Sequence, residues 1–186
     1  MIELNIAKPA DAPELVSIYR PYVLNTAITF EYDVPTCEEF AHRIEKTLKK
    51  YPYITAREDG CIVGYAYAGV FKQRQAYDWS AETSVYVKEG ITQRGIGTLL
   101  YRRLEQYLSL QNITNLNACI TYPNDSSIAF HERMGYVIAA HFHKCGYKLG
   151  EWRYMIWMEK FLCGHPQAPQ SIIAFPELLR QLHISE

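Results

Sequence analysis

Ala81-Glu82-Thr83-Ser84-Val85-Tyr86-Val87-Lys88-Glu89-Gly90-Ile91-Thr92-Gln93-Arg94-Gly95-Ile96-Gly97-Thr98-Leu99-Leu100 is the stretch whose reading decides the fold. Its first half reads as a strand, because Thr83, Val85 and Val87 alternate as β-branched residues. Its second half opens a helix, with Leu99, Leu100, Leu104, Tyr107 and Leu108 at helical spacing. The polar loop between them carries Gly95 and Gly97. A glycine-bearing loop that opens a helix presents free backbone N–H groups and the positive end of the helix dipole, a geometry suited to a phosphate or pyrophosphate. The pattern is not that of a dinucleotide fold, since Leu100 stands where a third glycine would be, and no Gly-Lys-Ser/Thr makes a P-loop. Taken alone, the glycine pair serves equally as an anion cradle or as a plain strand–turn–helix corner.

Working outward, 186 residues suffice for one domain with a sizeable core. Hydrophobic residues make up 48% and charged residues 21%, a globular rather than a disordered composition. The net charge of −1 supplies no basic field for nucleic acid or an anionic membrane, and neither partner is expected. The basic run from Arg43 to Lys50 is broken by Glu45 and reads as a solvated helix face. Fifteen tyrosines suit either partly buried packing or a groove for a polar small molecule. Cys37, Cys61, Cys119, Cys145 and Cys163 are odd in number and widely spaced, without a Cys-x-x-Cys, so neither a disulfide framework nor a zinc site is expected. His141 and His143 share a strand face with no third ligand in view, and no metal is expected there either. The first residues lack a charged and then apolar leader, and no apolar run reaches membrane-spanning length; the expected location is the cytoplasm.

In chain order, Ile2, Leu4 and Ile6 alternate as a first strand, and Asp11 with Glu14 reads as a capping signal for a helix that Pro21 ends or kinks. Residues 25–33 read as a loop that can line a pocket. Thr36 with Glu39 repeats the capping signal for a second helix, and Asp59-Gly60 reads as a tight hairpin turn between two strands. A polar and aromatic loop with Lys72, Arg74, Tyr77 and Trp79 leads into the opening stretch. Leu116, Ala118 and Ile120 form a further strand, residues 123–134 a turn and short helix, and Gly135 its C-terminal stop. Two last strands, residues 136–142 and 153–159, flank an expected loop at residues 144–150. Residues 163–186 change character and read as a C-terminal extension, distinct from a domain at residues 1–162, with a short helix that packs back on the domain or on a second subunit.

This order, with the loop Gln93-Arg94-Gly95-Ile96-Gly97-Thr98, resembles the GNAT superfamily of acetyl-CoA-dependent N-acetyltransferases. Ala66-Tyr67-Ala68-Gly69, Ala76-Tyr77-Asp78-Trp79, Glu82-Thr83-Ser84-Val85-Tyr86-Val87, Pro123-Asn124-Asp125, His131-Glu132-Arg133-Met134-Gly135-Tyr136 and Gly146-Tyr147-Lys148-Leu149-Gly150-Glu151-Trp152 look like the phosphinothricin acetyltransferase family. The resemblance spans about residues 2–160. It implies an α/β (α+β) domain with a mixed, mostly antiparallel sheet flanked by helices, acetyl-CoA as co-substrate, no metal, and a homodimer. Residue by residue, it implies Glu82 as general base and the strand through Val85, Tyr86 and Val87 as the one that pairs with the pantetheine arm. It further implies Gln93, Arg94, Gly95, Ile96, Gly97 and Thr98 as the pyrophosphate loop, Asn124 as a coenzyme contact, and His131 near the thioester sulfur. Phe30, Lys72, Arg74, Tyr77 and Glu82 fall where the family has its acceptor site. Thr92 departs from the pattern, since it lacks the long donor side chain usual at that position.

The chemistry is consistent with these residues. Acetyl transfer to an amine needs a base for the amine proton, a donor for the tetrahedral oxyanion and help for the leaving thiolate. Glu82 at a strand start beside the loop can supply the first, and His131 titrates near neutrality. No cysteine falls in the matched motifs, which disfavours an acetyl-cysteine intermediate. The expected acceptor is a small amino-acid-like amine such as phosphinothricin, methionine sulfoximine or methionine sulfone. The rival readings are acetylation of a protein N-terminus, a polyamine or an aminoglycoside, and a non-catalytic acyl-CoA-binding sensor.

Overall fold

A computed structural model describes residues 1–91 and 95–183 of the chain. Seven strands form one sheet: β1 (Ile2–Ile6), β2 (Tyr53–Glu58), β3 (Cys61–Val70), β4 (Ser80–Val87), β5 (Asn115–Tyr122), β6 (Val137–Lys148) and β7 (Glu151–Phe161). Five α-helices accompany them: α1 (Ala12–Asn25), α2 (Cys37–Leu48), α3 (Ile96–Leu110), α4 (Asp125–Arg133) and α5 (Phe175–Gln181). The strand order is β1-β2-β3-β4-β5-β7-β6, antiparallel everywhere except between β4 and β5. This is the mixed, mostly antiparallel sheet that the sequence resemblance implies.

Each face of the sheet carries its own core. On one face Leu15, Ile18, Tyr19 and Val23 of α1 and Phe40 and Ile44 of α2 pack on Tyr53 and Tyr65. On the other, Ile96, Leu100, Leu104 and Leu108 of α3 pack on Ala66, Ala68, Leu116 and Ala118, joined by Phe175, Leu178 and Leu179 of α5. The small residues of β3 and β5 on that face let α3 lie close: a Cβ on Gly64 would meet Ile96 at 3.3 Å and Leu100 at 3.4 Å.

The local signals were honoured unevenly. Thr36 caps α2 through the reciprocal pair expected, accepting from the Glu39 N–H while the Glu39 carboxylate accepts from its own. Asp59 and Gly60 turn the β2–β3 hairpin with φ of 51° and 81°. Asp11 and Glu14, in contrast, do not cap α1. Asp11 accepts from the Lys8 N–H and from Arg57, and Glu14 accepts from the Ile62 N–H, so both carboxylates tie the helix to the sheet instead. Pro21 does not end α1, which runs on to Asn25. An interior proline costs about 3 kcal/mol. Beyond it Val23 is buried and the Tyr22 hydroxyl donates to the Val87 carbonyl at 2.6 Å, and burial of one such aliphatic side chain contributes about 1.5–3 kcal/mol.

The loop expected at residues 144–150 is a second correction. β6 and β7 form one long hairpin that turns only at Leu149 and Gly150, with φ of 53° and 77°. Gly146, taken as a loop signal, sits inside β6 because Phe30 packs onto its bare backbone. Around that contact the α1–α2 loop is strapped to the hairpin. The buried Lys148 ammonium donates to the Thr29 carbonyl at 2.7 Å, and the Tyr32 hydroxyl donates to the Tyr147 carbonyl. From β5, the Thr121 hydroxyl donates to the Ala27 carbonyl at 2.5 Å.

Candidate active site

The site arises where β4 and β5 stop being neighbours. They pair at Ser80–Asn115, Ala81–Leu116 and Glu82–Asn117, then diverge. At the fork side chains replace the ladder: the Asn117 amide donates to the Ala81 carbonyl at 3.4 Å, and the Thr83 hydroxyl donates to the Asn117 carbonyl at 3.3 Å. Beyond it β4 keeps a strand partner only in β3, so its other edge opens into a cleft.

The wide part of the cleft, about 590 Å³, is lined by Val85, Val87 and Ile91 on one side and by Gly95, Ile96, Gly97 and Thr98 at the start of α3. Gly95 caps α3 with φ of 76°, a conformation that glycine adopts without a Cβ penalty. The first intrahelical bond of α3 is donated by Leu99 to the Gly95 carbonyl, so the N–H groups of Ile96, Gly97 and Thr98 are free of helical partners. Gly97 is small for a different reason: a Cβ there would touch Phe130 of α4 at 3.4 Å. Gln93 and Arg94, expected in this loop, and Thr92 lie outside the described residues. The far wall comes from α4, including Ser126 and the exposed Arg133, a cation that motif reading did not single out. Its position in the last turn of α4 was the available signal.

The narrow part, about 70 Å³, reaches between the diverged strands past Ser84, Tyr86, Cys119, Asn124 and His131. Asn124 caps α4, its side-chain oxygen accepting from the Ser127 N–H at 3.2 Å and the Ser126 hydroxyl at 3.1 Å. His131 is 4% exposed. Its Nδ1 lies 2.8 Å from the Ser127 carbonyl, which can only accept, so Nδ1 carries the proton. Nε2 is then the lone-pair nitrogen, and the Tyr101 hydroxyl donates to it at 3.0 Å. Burial lowers the His131 pKa, partly offset by the Ser127 carbonyl, and the ring is neutral at pH 7. Tyr101 and Tyr136 also reach the Thr83 hydroxyl, each at 3.3 Å, which links the histidine to the fork. Sequence reading missed this polar network, because three of its members look like ordinary core residues.

Glu82 lies at the fork, half-buried. Desolvation raises its pKa, partly countered by the Lys72 ammonium. Gly69 is its partner on β3, and no atom lies within 4 Å of where a Cβ on Gly69 would be, so the space beside the carboxylate is open. Lys72 is held by rings, its Nζ 5.1 Å from the Phe71 centroid and 4.9 Å from that of Trp157. Tyr77 packs on Phe71 at 5.8 Å between centroids, while Arg74 is exposed outside this cluster. Phe30 stands at the hairpin, against Gly146. Phe71 and Trp157 were not foreseen. Nor was Cys119, which the matched motifs omit and which faces this space close enough to feel the Glu82 charge. Burial first and Glu82 second push its thiol up to about 12. Among the described residues no group of three or more His, Cys, Asp or Glu could hold a metal ion, and no helix is long and apolar enough to cross a membrane.

A forked sheet with a helix N-terminus at the mouth of the fork is the acyl-CoA cleft of the acetyltransferase (GNAT) domain family, whose model matches residues 4–157, and the chain belongs to that family. It is an acetyl-CoA-dependent N-acetyltransferase. Within the family the chain is 32% identical over 169 residues to the phosphinothricin N-acetyltransferase of Streptomyces viridochromogenes, covering 90% of this chain and 92% of that one. It is 28% identical to the L-methionine sulfoximine/L-methionine sulfone acetyltransferase of Salmonella typhimurium, over 87% and 95% of the two chains. The crystal structure of a phosphinothricin acetyltransferase from Sinorhizobium meliloti in complex with acetyl-CoA superposes with a TM-score of 0.88 at 30% identity, over 95% of this chain and 98% of that one.

Proposed function

We propose that the protein transfers acetyl from acetyl-CoA directly to the α-amine of a small amino-acid-like acceptor, with phosphinothricin, methionine sulfoximine and methionine sulfone as candidates. The observation that carries this reading is the fork itself: a half-buried carboxylate, a strand edge without a strand partner and a helix N-terminus meet in one cleft. The similarity to acetyltransferases named for these acceptors supports the substrate class.

In this reading the pyrophosphate rests on the N–H groups of Gly95, Ile96, Gly97 and Thr98, with Gln93 and Arg94 completing the loop and Arg133 adding charge. The pantetheine arm takes the place of a strand along Val85, Tyr86 and Val87. Asn124 contacts it with the side-chain nitrogen that capping leaves unused. Glu82 takes the proton of the ammonium, directly or through water, and its raised pKa brings it nearer the working pH. The freed amine attacks the thioester carbon, the C–S bond breaks, and the thiolate leaves towards the narrow cavity. His131 serves there as a neutral ring held by Ser127 and Tyr101. Lys72 faces the acceptor carboxylate or phosphinate, while Phe30, Arg74 and Tyr77 complete the wall. Cys119 stays a thiol at neutral pH, which supports direct transfer over an acetyl-cysteine step.

The test is thiol release from acetyl-CoA with phosphinothricin, methionine sulfone, a polyamine, an aminoglycoside and a peptide N-terminus. The highest kcat/KM is expected for the first two. Preference for the peptide would move the acceptor class, and bound acetyl-CoA without turnover on any amine would end the catalytic reading. We further propose a homodimer. The edge strand β6 exposes Val137, Ile138 and Phe142, and a two-state mass in solution would measure it.

A further inference from the structure

Behind the transfer cleft, between α2 and the sheet, lies a second cavity of about 190 Å³. Its lining contains neither Glu82 nor Lys72 nor His131, and shares only Tyr86 with the narrow part of the cleft. Tyr53, Tyr65 and Tyr67 project into it as near-parallel rings. Tyr53 lies 4.8 Å from Tyr67 at 15° and 5.8 Å from Tyr65 at 24°. Phe40 closes it from α2, and Arg43, Lys46 and Thr47 form its rim.

Two features make this a built site rather than a packing gap. Tyr65 is 0% exposed, and its hydroxyl has no hydrogen-bond partner among the described residues. A buried hydroxyl left unpaired costs about 1–3 kcal/mol, so a phenol kept at that position needs a purpose that phenylalanine could not serve. The rim, in turn, is cationic. Arg43 is paired with Glu31 at 2.6 Å, which neutralises it, but Lys46 forms no ion pair among the described residues and leaves one net positive charge at the mouth. The volume exceeds the roughly 150 Å³ that accommodates a benzene ring.

We propose that this cavity is a ligand site separate from the transfer cleft, and that it takes a small planar aromatic carboxylate. The ring lies against the tyrosine array, the carboxylate meets Lys46 at the rim, and an oxygen at the far end accepts from the Tyr65 hydroxyl. A ligand with a ring alone would leave both polar ends unanswered; an inorganic anion would leave the aromatic walls unused.

The probe is 4-hydroxybenzoate, with benzoate and 4-hydroxybenzamide as controls, titrated calorimetrically into the whole protein with and without a saturating acceptor amine. Saturable one-to-one binding is expected, weakened about threefold to tenfold for benzoate and for Tyr65→Phe, and similarly for the benzamide and for Lys46→Gln. Both variants should keep the kcat/KM of acetyl transfer, which shows that they fold, and the acceptor amine should leave binding unchanged. Absence of saturable binding to the wild type overturns the proposal. So does binding that neither variant weakens, and so does binding abolished by the acceptor amine, which would place the probe in the transfer cleft.

Discussion

Replacing Gly146 by alanine tests how rigidly the α1–α2 loop is held. A Cβ at that position would lie 2.8 Å from both Cδ2 and Cζ of Phe30, and closer still to Cε2. Carbon atoms rest at about 3.5–4.0 Å, so the ring has to retreat by about 1 Å or more. It has little room to do so. The residue before it is held by Lys148, Tyr32 two residues on is held at Tyr147, and Ala27 is held by Thr121. Overpacking of this kind costs about 1–3 kcal/mol, which for a chain of this size lowers Tm by about 2–10 °C. Because Phe30 is proposed as part of the acceptor wall, KM for the acceptor should rise while KM for acetyl-CoA stays unchanged. Thermal melts and steady-state kinetics of Gly146→Ala, Phe30→Ala and the double variant measure both effects. The alanine at position 146 should cost almost nothing once the ring is gone, a coupling of the size of the single penalty. If Gly146→Ala melts with the wild type, or if its penalty survives in the Phe30→Ala background, the close approach does not hold the loop.

Glu82→Gln should lower kcat/KM about 10²–10⁴-fold and flatten its rise with pH, measured by thiol release across pH. The same change should stabilise the protein: a carboxyl whose folded pKa is raised contributes stability below its unfolded pKa and loses it as pH rises, so ionised Glu82 weighs against folding at neutral pH. For His131 the sign is reversed. Its folded pKa is depressed, so denaturant melts should lose stability as pH falls below about 6.5, and His131→Gln should remove that loss. Iodoacetamide at pH 8 followed by peptide mass spectrometry should label exposed Cys37, Cys61, Cys145 and Cys163 while sparing Cys119; rapid labelling of Cys119 would contradict its raised pKa. Tyr65→Phe, which deletes an unpaired buried hydroxyl, should leave Tm unchanged or raise it, and a fall of several degrees would show that the hydroxyl has a structural partner.

The sequence announced the fold through signals that are local. Alternation marked β4, helical spacing marked α3, and Thr36-Cys37-Glu38-Glu39 fixed where α2 begins. It was misread where a residue answers to something distant in the chain. Gly146 looked like a turn because the ring that demands it is Phe30, on the opposite edge of the domain. Asp11 and Glu14 looked like caps because Arg57 and the Ile62 N–H are invisible to a local pattern. In the site, Glu82 and the glycine pair stood out by motif, but Tyr101, Thr83, Phe71, Trp157 and Cys119 did not. Their types are common in any core, and only the fork between β4 and β5 makes them neighbours. Fifteen tyrosines were visible as a count, yet the stacking of Tyr53, Tyr65 and Tyr67 depends on the register between β2 and β3.

The close of the chain has a practical consequence for anyone who trims it. Phe175 is 1% exposed and packs edge-on against Tyr107 at 5.2 Å, while the Gln111 amide donates to the carbonyls of both Lys50 and Ile173 at 2.7 Å. A shortened version ending at residue 162 would therefore bare the flank of α3 to water and strip two acceptors from a buried amide. Such a fragment should be recovered as aggregate, whereas a purification handle added after the last residue leaves that clasp intact.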